Sequence, residues 1–93
     1  MMKGQRKKIE KILNTFDFRK AKDAMTNCGI TWEDKNGEGY IPSQSEIKER
    51  ARFMLNNAVN TKMSYCKISS GGLIVRKTAT TLELSFVIEF ASA

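Results

Sequence analysis

Four consecutive small residues, Ser69-Ser70-Gly71-Gly72, are the stretch of this 93-residue chain best suited to holding a ligand. Two hydroxyls stand beside backbone N–H groups that no bulky side chain shields, and a glycine backbone lets a phosphate or a ribose approach closely. The same residues equally suit an ordinary hairpin turn. Trp32 and Tyr40 flank a polar loop. There an exposed ring stacks on a nucleobase, while a buried one packs against a helix. Arg50, Arg52, Arg76 and Lys77 are candidate phosphate contacts, because a guanidinium fork engages two oxygens at once. Any one of them alone also serves as a solubilising surface charge; several in one cleft would make a site.

Catalytic chemistry has less to stand on. The chain contains no histidine, which removes the usual general base and the usual partner of a nucleophile. It lacks a G-x-S-x-G elbow, a phosphate loop ending in G-K-[ST] and a G-x-G-x-x-G fingerprint. The carboxylates come as Glu33-Asp34 and as Glu46 with Glu49, both common arrangements on solvated surfaces. Two cysteines, Cys28 and Cys66, without a histidine cannot make a standard zinc site. Both are expected as buried packing residues, Cys28 at an apolar helical position and Cys66 in a strand. A non-enzymatic protein without cofactor or metal is the expectation.

The net charge of +6 is concentrated at one end. Residues 1–22 carry eight basic groups against Glu10 and Asp17, and the rest of the chain is balanced. Such a segment attracts phosphate-bearing partners at long range, or forms a solvated helix face. No apolar stretch approaches the roughly 20 residues that span a bilayer, and the charged N-terminus lacks the apolar centre of a secretory signal. A cytoplasmic protein that makes no membrane contact is therefore expected. A core this small is marginal alone, so a homo-oligomer is expected too.

The elements that must position these residues follow from periodicity. Ile9, Ile12 and Leu13 give a narrow apolar stripe on a short basic helix over 5–14, which needs a partner surface or frays. Thr15 or Asp17 can cap a second helix whose face is Phe18, Ala21, Met25 and Cys28, with Gly29 at its end. Ile30-Thr31-Trp32 reads as a short strand, and Asn36-Gly37 favours a type I′ hairpin turn. Pro42, Ser43 and Glu46 open the best-marked helix with a capping box, and Ile47, Ala51, Met54, Leu55 and Ala58 share one face. Strands are expected over 63–68, 73–77 and 81–90, the last alternating from Leu82 to Phe90. The fold class is α+β: a C-terminal three-stranded antiparallel meander, with a short strand near Trp32, covered by two main helices. Residues 1–15, which contain the additional basic helix, are expected as an N-terminal extension, and residues 16–93 as a single α+β domain.

These residues also resemble a family of small phage and prophage proteins. The resemblance rests on Phe16-Asp17-Phe18-x-Lys20, Met25 and Trp32, the Pro42-Ser43 helix start, and Ala51-x-x-Met54-Leu55. It continues in Ser70-Gly71-Gly72-Leu73 and Leu82-x-Leu84-x-Phe86-x-Ile88-Glu89, and so spans residues 16–90. Within this group the chain is similar to the Thoeris anti-defence proteins of phages. Those are non-enzymatic, oligomeric sponges that sequester cyclic ADP-ribose isomers made by immune TIR enzymes; some also hold cyclic trinucleotides. The resemblance implies that Lys20 and Arg50 or Arg52 contact phosphates. It further implies that Ser69, Ser70, Gly71, Gly72 and Arg76, with Phe86, line a pocket for a cyclic nucleotide signal, to which Trp32 is added as the candidate stacking ring. One departure is Lys22, where relatives often carry histidine. The alternative function is an anti-CRISPR-type inhibitor that binds a host protein or nucleic acid through residues 3–22.

Overall fold

The computed structural model describes residues 3–87. Three helices, α1 (Lys3–Thr15), α2 (Phe18–Asn27) and α3 (Gln44–Asn60), pack with five short strands. β1 (Trp32–Glu33) and β2 (Gly39–Tyr40) form a two-stranded hairpin. β3 (Cys66–Ser70), β4 (Leu73–Lys77) and β5 (Leu82–Phe86) form an antiparallel sheet in sequential order. The fold is α+β with a C-terminal meander, and the strand at Trp32 lies in a sheet of its own with β2 rather than in the meander.

Helix α3 is the centre of the molecule. Ser43 Oγ accepts from Glu46 N at 3.2 Å, and the Glu46 carboxylate accepts from Ser43 N at 3.1 Å, which closes the capping box. The apolar face that follows, Ile47, Ala51, Met54, Leu55 and Ala58, is buried throughout. Leu73 and Val75 of β4 pack against it from the sheet side, and Phe18 and Met25 come from α2. Asp17 is the cap of α2, accepting from Lys20 N at 2.9 Å. Helix α1 finds its partner surface in α3: Ile9 and Leu13 are 2% and 1% exposed and belong to the same core cluster. The segment expected as a basic extension thus supplies two core residues.

Four local expectations are corrected. Cys28 is exposed at the C-cap of α2 rather than buried, because the helix ends at Asn27 and turns away through Gly29 in the left-handed region. Cys66 is half-buried, and both thiols are free. The Asn36-Gly37 hairpin exists, but no non-glycine residue described has positive φ, so its turn is not type I′. Asp34 organises a longer loop instead, its Oδ1 accepting from Asn36 N at 2.8 Å and Glu38 N at 3.0 Å. Positive φ at both central residues, which type I′ requires, occurs at Gly71-Gly72, between the paired Ser70 and Leu73. That turn also explains why β3 starts at Cys66 and not at Met63. With Ser70 opposite Leu73 and β4 ending at Lys77, the partner of Lys77 is Cys66. Residues 63–65 instead connect α3 to the sheet. β5 ends at Phe86; Ile88 and Phe90, expected in the same strand, lie outside the described residues.

The register divides the meander into two faces. Cys66, Ile68, Ser70, Leu73, Val75, Lys77, Leu82, Leu84 and Phe86 turn toward the helices. Lys67, Ser69, Ile74, Arg76, Glu83 and Ser85 turn outward.

Candidate functional site

The turn between β3 and β4 borders one of several open, ligand-sized grooves on the described surface. Both of its glycines are required. A Cβ at Gly71 would lie 2.6 Å from Trp32 Nε1, and one at Gly72 would lie 2.8 Å from Phe86 Cε2. The turn therefore rests directly on two aromatic rings. Val87 N donates to Gly72 O at 2.8 Å and ties the end of β5 to it. Ser69, Ser70, Gly71 and Gly72 line an open groove of about 450 Å³ with Ile30, Lys67, Leu73, Ile74 and Val87. That volume falls in the range of small-molecule clefts, roughly 300–1,000 Å³. The lining includes one cation, two hydroxyls, two glycines and four aliphatic side chains, and no acid. The combination suits a ligand with an anionic end and a flat or apolar body.

The other candidate residues are dispersed. Trp32 is half-buried, its indole against Gly71, and the Arg50 guanidinium lies 5.7 Å from its ring centroid. That cation–π contact is worth about 0.5–1 kcal/mol at an exposed site. Part of the ring expected to stack on a base is therefore covered by the chain itself. Trp32, Tyr40, Arg50 and Phe53 line a second groove on α3, together with Glu46 and Glu49. Hydrogen bonding to Glu46 raises the Tyr40 hydroxyl above its ordinary pKa. The Ser43 backbone and hydroxyl, followed by Tyr40, hold the Glu46 carboxyl below the usual carboxylate value. A groove lined by the Glu46 and Glu49 carboxylates disfavours a polyanion.

Arg52 belongs elsewhere, paired with Glu10 of α1 at 3.5 Å and with Glu49 at 3.9 Å. Lys20 and Phe86 share another groove with Phe16, Asp17 and Leu84, on the helix-facing side of β5. Arg76 is on the outer face of the sheet, opposite Lys67 on one neighbouring strand and Glu83 on the other. The structure thus brings Ser69 to Gly72 together, and joins Trp32 to that turn and to Arg50. Lys20, Arg52 and Arg76 are each apart from it.

Lys67 is the contact that sequence reasoning missed. Its signal was available: it stands two residues before Ser69 in a strand, so the two side chains share a face. Among the described residues no cluster of three or more histidine, cysteine or acidic side chains could hold a metal, and no helix is long and apolar enough to cross a membrane. No protein-family model, no curated protein and no solved structure matches the chain.

Proposed function

We propose that this chain is a non-catalytic binding protein that sequesters a phosphorylated nucleotide signal in the groove of its β3–β4 hairpin. The observation that carries the reading is the composition of that groove. Its lining has Lys67 and the Ser69 and Ser70 hydroxyls but no carboxylate, whereas the grooves along α3, between α1 and α3, and beside α2 contain Glu46 and Glu49, Glu10, and Asp17 respectively. Lys67 supplies a point charge for a phosphate, the Ser69 hydroxyl on the same face donates to its oxygens, and Ile30, Ile74 and Val87 cover the base or ribose. A chain without histidine is poorly equipped for acid–base chemistry on such a ligand, which favours capture over turnover. The resemblance to phage Thoeris anti-defence proteins makes cyclic ADP-ribose isomers and cyclic oligonucleotides the ligands to try. It also makes the role counter-defence in the host cytoplasm, by a homo-oligomer.

Thermal melting against cyclic ADP-ribose isomers and cyclic di- and trinucleotides tests this. A ligand present at about 100 times its Kd stabilises by about 2.7 kcal/mol, which raises Tm by roughly 10 °C or more in a domain of this size. Lys67→Ala should abolish most of that rise while leaving the ligand-free Tm nearly unchanged, since Lys67 is exposed. No shift with any member of the panel overturns the ligand class. An undiminished shift in Lys67→Ala overturns the placement of the site.

A further inference from the structure

We propose that the solvent face of α1 binds the sugar–phosphate backbone of nucleic acid. The first observation is how α1 is anchored. Ile9 and Leu13 are buried in the core with Ile12 packed beside them, so the helix surface opposite that stripe is turned away from the core. On that surface Lys7 and Lys11 form an i, i+4 row about 6 Å long, and Lys8 begins the adjacent row. All three are exposed, and none has an acidic partner among the described residues.

The second observation is that both acids of the segment are engaged in holding the structure. Glu10 faces α3 and pairs with Arg52, and Asp17 is the cap of α2. Glu10 stands three residues from Lys7, but its carboxylate is drawn toward α3 by Arg52, and Lys8 and Lys11 have no acid at i±3 or i±4 on α1. On the other flank of Lys7, Arg6 and Glu10 form the i, i+4 row that borders a cleft of about 430 Å³. Arg52 and Asn56 of α3 close its far side. Arg52 is already shared between Glu10 and Glu49, so the cations left free on this side of α1 are Arg6 and the lysine rows.

Nucleic acid fits this surface better than a lipid bilayer does. An interfacial helix must insert an apolar face, and the apolar face of α1 is already committed to the core. What remains free is charge, which a regularly repeating phosphate backbone satisfies without any apolar contact. None of these residues lines the hairpin groove, so this proposal stands or falls independently of the nucleotide site.

The test is fluorescence anisotropy with a labelled duplex of about 20 base pairs and arbitrary sequence, titrated from about 20 to 200 mM salt. Binding should weaken steeply with salt, with a slope of log K against log salt of about −3 to −4 for three or four phosphate contacts. The triple variant Lys7→Gln/Lys8→Gln/Lys11→Gln should lose most of that slope, falling by about 2.7. A charge-matched variant, Lys35→Gln/Lys48→Gln/Lys62→Gln, should retain it. Circular dichroism melting identifies the variants that remain folded. No salt-dependent binding by the wild-type chain overturns the proposal, as does an equal loss in both triple variants, which would trace the binding to net charge alone. Lysine-dependent binding to vesicles containing phosphatidylserine, with none to the duplex, overturns it in favour of a lipid surface.

Discussion

Replacing Gly71 by alanine isolates the contact on which the candidate site is built. Gly71 has φ +57°, and its missing Cβ would lie 2.6 Å from Trp32 Nε1 and 2.8 Å from Cε2. Two costs follow. Alanine in the left-handed region costs about 1 kcal/mol. Indole atoms at such distances must also shift, and overpacking of this kind costs about 1–3 kcal/mol more. Trp32 cannot shift freely, because Arg50 lies over its ring. Gly37 supplies the control: its φ is +79°, but a Cβ there would meet nothing within 4 Å. Gly37→Ala should therefore show the backbone cost alone, a Tm lower by about 4–8 °C. Gly71→Ala should lose at least twice as much. Since Trp32 is the sole tryptophan of the chain, its emission should change in Gly71→Ala and remain as in the wild type in Gly37→Ala. Equal losses in the two variants, or unaltered emission in Gly71→Ala, would refute the claim that the hairpin rests on Trp32.

Other expectations concern the helices. Leu13→Ala should destabilise the chain by about 2–5 kcal/mol in urea denaturation, as a core leucine does; a cost below about 0.5 kcal/mol would mean that α1 is not part of the core. Ser43→Ala should cost about 1 kcal/mol in the same assay through loss of the cap. The capping box also sets a pH dependence. The folded-state pKa of Glu46 is held below 4.5, chiefly by Ser43, so the unfolded chain binds its proton first as the medium is acidified. The stabilisation is present above about pH 4.5 and disappears as pH falls through the folded value, and Glu46→Gln should flatten that limb of a Tm-against-pH profile.

Periodicity and capping made most of the fold legible. The apolar face of α3, its S-x-x-E cap and the 73–77 strand all follow from side-chain spacing, and spacing is what burial responds to. The stripe Ile9, Ile12, Leu13 pointed to a partner surface without saying which, because a three-residue stripe does not name the face it meets. Turn chemistry was the weakest guide. Asn36-Gly37 and Gly71-Gly72 both suit a primed turn, and the choice between them was made by Asp34, whose carboxylate imposes a longer loop. For the site, adjacency in sequence survived as adjacency in space: Ser69 to Gly72 stayed together. The dispersed cations did not converge: Arg50 lies over an indole ring, Arg52 pairs with Glu10, and Arg76 stands on the outer face of the sheet. Lys67, given away by strand alternation, needed only the face of Ser69 to be identified.

Because α3 is the common packing surface for α1, α2 and the sheet, the parts of this protein need not open together. The amides of its buried stretch from Ile47 to Ala58 should exchange with solvent only through complete unfolding. The β1–β2 hairpin, held by two residue pairs and an exposed loop, should exchange orders of magnitude faster. Helix α1 meets the rest of the structure along one stripe, and it can detach while α3 stays covered by the sheet. The molecule would then pass through a state in which its most basic helix is free and its central helix is still protected.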